Sequence, residues 1–217
     1  ILVMYSNLPV LIQSLNPKDA DHILLAMDQY LFGMQLSVSL QDYMFEPLIT
    51  FSTISYATYY FFPPVLAILI YAKGKYEVFR KLSAAMFLSF FIGYIGYIIA
   101  PAIGPRYVIS ESFTNEIGGS ELSQTIRQKL DDWEYTKRDC FPSLHNAAIL
   151  VAVLFAFRYE RKFAWIFLPF AVGLFWATVY LRYHYLVDVI AGWLLAVLCY
   201  FWGQQIYRWW EKKPHHS

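Results

Sequence analysis

Charge is what this chain has least of. Of its 217 residues, 15% are Asp, Glu, Lys or Arg and 58% are hydrophobic, whereas an ordinary soluble domain is about 25% charged. That balance excludes disorder and argues against a water-soluble globule. Cysteine is nearly absent as well. Cys140 and Cys199 build no disulfide framework; one adjoins a greasy run and the other lies within one, so they are expected to stay unpaired. No C-x-x-C occurs, which removes the zinc-ribbon and thioredoxin patterns. No G-x-S-x-G occurs, which removes the nucleophile elbow of the serine hydrolases. His215 and His216 read as a tag remnant or tail before they read as metal ligands.

What is present is long apolar runs. Residues 48–72, 82–105, 141–157, 163–181 and 189–207 contain no Asp, Glu, Lys or Arg. Each is near the ~20 residues that a membrane helix needs. Residues 1–15 form a sixth, weaker run, interrupted by Asn7, Pro9 and Gln13. It opens on "ILVMYS", without a Met and without the basic start and cleavage site of a signal peptide. The expected fold is therefore all-α: one polytopic integral-membrane domain over 1–217, with six transmembrane helices, the first of them truncated.

The charges that remain are sorted by segment. The stretches 73–81 and 158–162 and the tail from 208 hold ten basic and three acidic residues, a balance of +7. The rest of the chain holds seven basic and thirteen acidic residues, a balance of −6. Short loops rich in Lys and Arg stay cytoplasmic. Both termini are thus expected inside, and the segments 16–47, 106–140 and 182–188 outside. Residues 18–47 mix acids with apolar residues and read as short interfacial helices. In "GGSELSQTIRQKLDDWEY", Ser120 is a cap candidate, and Leu122, Ile126 and Leu130 recur at helical spacing. That helix is either a connector resting on the bilayer or a lid over a site.

Unusual residues gather at the outer ends of the spans. In "VYLRYHYLVDV", His184 and Asp188 are four apart, one turn from each other on one helix face. A carboxylate so placed can fix the imidazole tautomer and raise the basicity of the other nitrogen. In "FPSLH", Pro142 is well placed to open a helix whose free N–H groups favour an anion, with the Ser143 hydroxyl and His145 beside it. Arg106, Lys137, Arg138 and Arg182 are four of the seven outer basic residues. Guanidinium forks match phosphate oxygens. Arg106 and Arg182 would otherwise only snorkel, and Lys137 and Arg138 would face solvent or lipid head groups.

Three chemistries use such residues. A serine hydrolase would need Ser143 with a His and Asp188, but lacks its elbow. A metal site would take His145, His184 and Asp188 as two histidines and a carboxylate, but the surrounding cations would repel a dication. Phosphoryl transfer through a histidine needs a nucleophile held by a carboxylate, a second His as acid, and cations around the developing charge.

These residues also carry a family resemblance. "FPSLH" resembles the Pro-Ser-x-His motif of the type 2 phosphatidic acid phosphatases, and "VYLRYHYLVDVIAG" resembles their last motif, His-x-x-x-Asp. The resemblance implies His184 as nucleophile, Asp188 as its orienting carboxylate, His145 as acid toward the leaving group and Ser143 as a phosphate ligand. Two departures stand out. The family's Ser-Arg falls here on Ala177 and Thr178, with the arginine at Arg182. Its Lys-x6-Arg-Pro falls on Ile99, Arg106 and Tyr107, which leaves Lys137 or Arg138 to supply the missing cation. These departures are similar to the branch that contains inositol phosphorylceramide synthases.

The expectation is a membrane enzyme acting on a lipid phosphate ester at the non-cytoplasmic face through a phosphohistidine, as a phosphatase. The alternative is a phosphotransferase that moves a phospho-head group onto a lipid alcohol. A non-enzymatic lipid transporter ranks third, since no paired inverted repeats occur. The chemistry calls for no metal, no cofactor and no nucleic acid. Its partners are the bilayer, a lipid phosphate and, for transfer, a lipid-alcohol acceptor.

Overall fold

The structure, a computed structural model, describes residues 2–133 and 136–211. Lys212, Lys213 and the His215–His216 pair lie outside the described residues. Every regular element among those residues is helical. In chain order these are α1 (Leu2–Leu15), α2 (Asp21–Phe32), α3 (Leu36–Ser39), α4 (Glu46–Ala57), α5 (Phe62–Ala72), α6 (Tyr76–Ile99), α7 (Pro105–Val108), α8 (Glu121–Trp133), α9 (Leu144–Tyr159), α10 (Arg161–Tyr180) and α11 (Leu186–Glu211). Helix α9 is the centre of the bundle, with α6, α10, α11 and α5 packed around it. Its Ala147, Ile149, Val151, Ala152 and Phe155 have no exposed surface.

The outside of the bundle is apolar too. Phe87, Ile95, Trp165, Ile166, Leu194, Phe201 and Trp202 are all exposed. So broad an apolar exterior suits lipid rather than water, and the protein is an integral membrane protein. Helices α6, α10 and α11 are long and apolar enough to cross a bilayer. Two bent pairs pass the same test: Asp21–Phe32 with Leu36–Tyr43, bent by 70°, and Glu46–Tyr60 with Phe62–Ala72, bent by 47°. Length and composition thus support three to five spans among the described residues, not the six expected. Of the expected runs, α1, at 14 residues, and α9 are the two not counted, and the bent pair over 21–43 is counted in addition to the rest. At 16 residues, α9 falls under the length test, because "KRDCF" is spent on a loop and Tyr159 ends the helix. The run 48–72 is not one helix. Pro63 and Pro64 lie in the first turn of α5 and lack the amide donors that would continue α4.

The charge pattern has a structural counterpart. Lys75 lies 2.8 Å from Glu160, Lys73 pairs with the same carboxylate, and Arg80 lies 3.6 Å from Glu211. The loop before α6, the loop after α9 and the end of α11 therefore meet at one end of the bundle. The starts of α9 and α11 lie at the other end. There, Gly192 lets α11 come close to the start of α9. A Cβ on Gly192 would sit 2.4 Å from the Ser143 carbonyl oxygen, a contact that real structures do not tolerate.

Candidate active site

The loop into α11 is held by its own backbone. The Thr178 carbonyl accepts from Tyr183 N at 3.0 Å and from His184 N at 2.9 Å. To close this turn Arg182 adopts φ 67°, the left-handed region that a side chain resists. The first amides of α11 have no intrahelical acceptor. Asp28 supplies one from α2, accepting from Leu186 N and Val187 N at 2.9 Å each. One face of α2 carries Asp21, Leu24 and Asp28, all buried. Asp21 accepts from Gly104 N at 2.9 Å, Ile103 N at 3.0 Å and the Tyr185 hydroxyl at 2.9 Å. Gly104 has φ 88°, and a Cβ there would lie 2.6 Å from the Tyr183 carbonyl oxygen. Two aspartates seven apart on a short apolar helix were the available signal for this bracing, and the sequence reading passed over them.

His184 and Asp188 are buried together. The imidazole Nδ1 stands 3.5 Å from Asp188 Oδ2, longer than the ~2.7–3.2 Å of a well-formed hydrogen bond. That oxygen already accepts from Tyr185 N at 3.0 Å and from the Cys140 thiol at 2.8 Å. The thiol also lies 3.4 Å from His184 Nδ1. Nδ1 is thus turned toward Cys140 and Asp188, and Nε2 is left for another partner. Asp188 Oδ1 is buried without a partner among the described residues. Cys140 was read only as an unpaired thiol, and it is indeed free. Its place between the pair was not foreseen.

Cys140, His184 and Asp188 also form the set that converges tightly enough to hold a metal ion, with ligand atoms within 4.8 Å of one another. This is not the expected set, since His145 stands apart from it. Burial and the Asp188 carboxylate push the Cys140 thiol well above its ordinary pKa. Its thiol donates to Asp188 Oδ2 at 2.8 Å.

His145 faces His184, ring centroids 5.7 Å apart. Its Nε2 lies 3.1 Å from the Tyr56 hydroxyl, and Tyr59 packs on its ring at 4.4 Å. Nδ1 has no partner among the described residues. Ser143 rather than Pro142 opens α9: it is the N-cap, and its hydroxyl oxygen accepts from Asn146. It is fully buried and does not line the histidine pocket. Asn146 joins it to Thr178, donating to the two hydroxyl oxygens at 2.8 and 3.2 Å.

The four expected cations separate. Arg106 and Lys137 line the pocket of both histidines, with Tyr56, Tyr107, Asp139 and Tyr183. Lys137 lies over the Tyr107 ring at 4.5 Å. Arg106 is clamped by Asp131 of α8, two bonds of 2.7 and 2.6 Å. Arg138 points elsewhere, to Asp19 at 2.8 Å and Gln13 at 2.9 Å, and ties α1 to the outer loops. Arg182 donates to the Asn115 carbonyl and lies 3.9 Å from the Phe113 ring centroid. It lines a separate outer pocket of about 480 Å³ with Arg106 and Arg127. The histidine pocket itself encloses about 20 Å³, space for about one water. Helix α8 lines the separate outer pocket through Gln124, Arg127, Gln128 and Asp131; its Ile126 and Leu130 pack inward, while Leu122 is exposed.

The whole arrangement puts two imidazoles, a carboxylate and two cations at one end of packed apolar helices. Residues 22–202 match the sequence profile of the PAP2 superfamily, and the chain belongs to that superfamily. It is 26% identical over 209 residues to an inositol phosphorylceramide synthase of Candida albicans, covering 90% of this chain and 44% of that protein. It is 25% identical to a phosphoinositol dihydroceramide synthase of Bacteroides thetaiotaomicron, covering 68% of this chain and 53% of that one. A PA-phosphatase related-family protein of Dictyostelium discoideum is 27% identical over 53% of this chain and 21% of its own length. The chain thus spans about half or less of the length of these relatives. No solved structure matches.

The bracing by Asp28 has a measurable consequence. Asp28→Ala strands two buried amides, each costing roughly 1–3 kcal/mol, and should lower both the melting temperature in detergent and catalytic turnover. Asp28→Asn keeps an acceptor oxygen and should fall between the two. Equal melting temperatures for all three proteins would remove Asp28 from the support of the site.

Proposed function

We propose that the protein is a lipid phosphatase or phosphotransferase that works through a phosphohistidine on His184, and that it moves a phospho-head group from a lipid phosphate ester onto a lipid alcohol. The observation that carries this reading is the facing pair, His184 backed by Asp188 and His145 opposite, in one pocket with Arg106 and Lys137. The two synthases support transfer to a lipid alcohol. Transfer to water is the second reading. It is supported by the phosphatase-related relative and by a pocket of about 20 Å³ beside both histidines.

In the first step the Nε2 lone pair of His184 attacks phosphorus. The phosphorus–oxygen bond to the lipid alcohol breaks, and His145 gives its proton to the departing oxygen. Asp188 offsets the positive charge on the substituted imidazole, and Arg106 and Lys137 meet the phosphoryl oxygens. In the second step the acceptor hydroxyl returns a proton to His145. Its oxygen bonds to phosphorus as the phosphorus–nitrogen bond breaks. Both histidines end as they began. In this reading Tyr56, at His145 Nε2, orients the acid, and Nδ1 is the nitrogen that exchanges the proton. Arg182 serves the head group in the outer pocket, and Ser143 and Arg138 shape the site rather than touch phosphate. The chain works as one membrane domain with the site on the non-cytoplasmic face and both ends of the chain inside.

Three outcomes are expected. His184→Ala should lose at least ~10³-fold in activity, as removal of a covalent nucleophile does, and should give no burst of nitrophenolate from a nitrophenyl phosphate ester. His145→Ala should lose about 10²–10⁴-fold on a lipid phosphate, the typical worth of a general acid, yet keep the burst, because nitrophenolate leaves without a proton. Equal loss of the burst in both variants would reassign His145. Second, turnover should withstand strong chelators; loss on chelation with recovery on adding a divalent ion would turn Cys140, His184 and Asp188 into a metal site. Third, a cysteine introduced between 106 and 133 should react with an impermeant reagent on intact cells, and one between 73 and 81 should not. The reverse pattern would invert the topology.

A further inference from the structure

Two residues, Asp139 and His145, line both the histidine pocket and a second, larger cavity. That cavity measures about 840 Å³, toward the upper end of the ~300–1,000 Å³ usual for ligand sites. Its walls are apolar and aromatic: Pro63 and Pro64 of α5, Phe79, Met86 and Phe90 of α6, and Trp133 of α8. Asp139 stands at the seam. The Tyr5 hydroxyl of α1 donates to its Oδ2 at 2.7 Å, and no basic side chain pairs with it among the described residues. Asp139 is half-buried, and its removal from water raises its pKa against the opposing pull of the Tyr5 hydrogen bond and the charge of His184. A carboxyl group so placed, without a counter-ion and facing hydrocarbon walls, is costly unless it meets a donor.

Charge separates the two chambers. Arg106 and Lys137 line the histidine pocket but not the apolar cavity. In the histidine pocket these two cations offset the shared Asp139 carboxyl group, whereas the apolar cavity offers acidic groups alone, Asp139 and Asp132, which suit a neutral hydrogen-bond donor rather than a phosphate. We propose that Asp139 anchors the polar head of a neutral lipid-alcohol acceptor whose chain lies in the apolar cavity. It accepts a hydrogen bond from an O–H or N–H beside the reacting hydroxyl, which aims that hydroxyl at His145. This rests on the transfer reading above: His145 takes the hydroxyl proton, and the oxygen bonds to phosphorus as His184 is released. Asp139 determines which acceptor is used and is not required for the first step. Tyr5 is a positioning residue that holds it.

The test uses the whole protein in lipid nanodiscs, with a tagged N-acyl long-chain amino alcohol as acceptor probe and water as the competing acceptor. Asp139→Leu should raise the KM for the probe about tenfold or more, the worth of a hydrogen bond to a charged group. It should shift products from transfer to hydrolysis, with any loss in the nitrophenolate burst smaller than the loss in transfer to the probe. Asp139→Asn, which still accepts, should lie nearer wild type, and Tyr5→Phe should raise the probe's KM in the same direction. An unchanged KM in Asp139→Leu and Tyr5→Phe overturns the proposal. So does a burst lost together with probe use in Asp139→Asn, since Asp139 would then serve the phosphate chemistry itself. A wild-type protein that bursts but transfers nothing to the probe would sink the transfer reading and this proposal with it, while sparing the phosphohistidine.

Discussion

The site depends on one close approach, that of the first turn of α9 to the first turn of α11. Ser143 N donates to the Asp188 carbonyl at 3.2 Å, and Gly192 offers no side chain to hold the helices apart. Because His145 is two residues from Ser143, and His184 lies in the loop just before α11, four residues from Asp188, this single seam places the two imidazoles face to face. Asn146 adds α10 to it through Thr178. Ser143, Asn146, Thr178, His184 and Asp188 are buried, where a satisfied hydrogen bond is stronger and an unsatisfied one costs more. A small displacement of either helix therefore breaks several contacts together.

A second constraint follows from the bilayer. Irregular backbone near a membrane must find its partners inside the protein, because water is scarce there. The loops at 101–104 and 181–187 would otherwise strand several amides. Helix α2 answers this with two carboxylates used as backbone acceptors, Asp21 for one loop and Asp28 for the other. Both loops border the histidine pocket, so a helix that carries no residue of that pocket fixes its shape.

Much of this was legible in the sequence. The uncharged runs located the long helices, and the four-residue spacing of His184 and Asp188 brought them together. Two other features were available and were misweighed: the Pro63–Pro64 break in the run at 48–72, and the seven-residue spacing of Asp21 and Asp28. The rest had no linear signal. Lys137 and Arg138 are neighbours in a loop, where no periodicity says which faces inward. Arg182 is two residues from His184, but its left-handed backbone turns it to the outer pocket. Tyr56 is one of 18 tyrosines and is distinguished only by the imidazole it meets. Cys140 gains its place only when a loop 44 residues earlier in the chain folds over His184.

The clamp of Arg106 on Asp131 changes what anion binding means here. The guanidinium already has a planar, doubly hydrogen-bonded counter-ion. On the proposed reading, a phosphate that takes this face of the guanidinium displaces a carboxylate of α8, and Asp131 then turns to water or another cation. Binding is in that sense an ion exchange. The helix carrying that ion lines the neighbouring pocket through Gln124, Arg127 and Gln128, so on the proposed reading a phosphate at Arg106 would be felt in that pocket as well. On the same reading, the exchange run backward would return Asp131 to Arg106 as the product anion leaves.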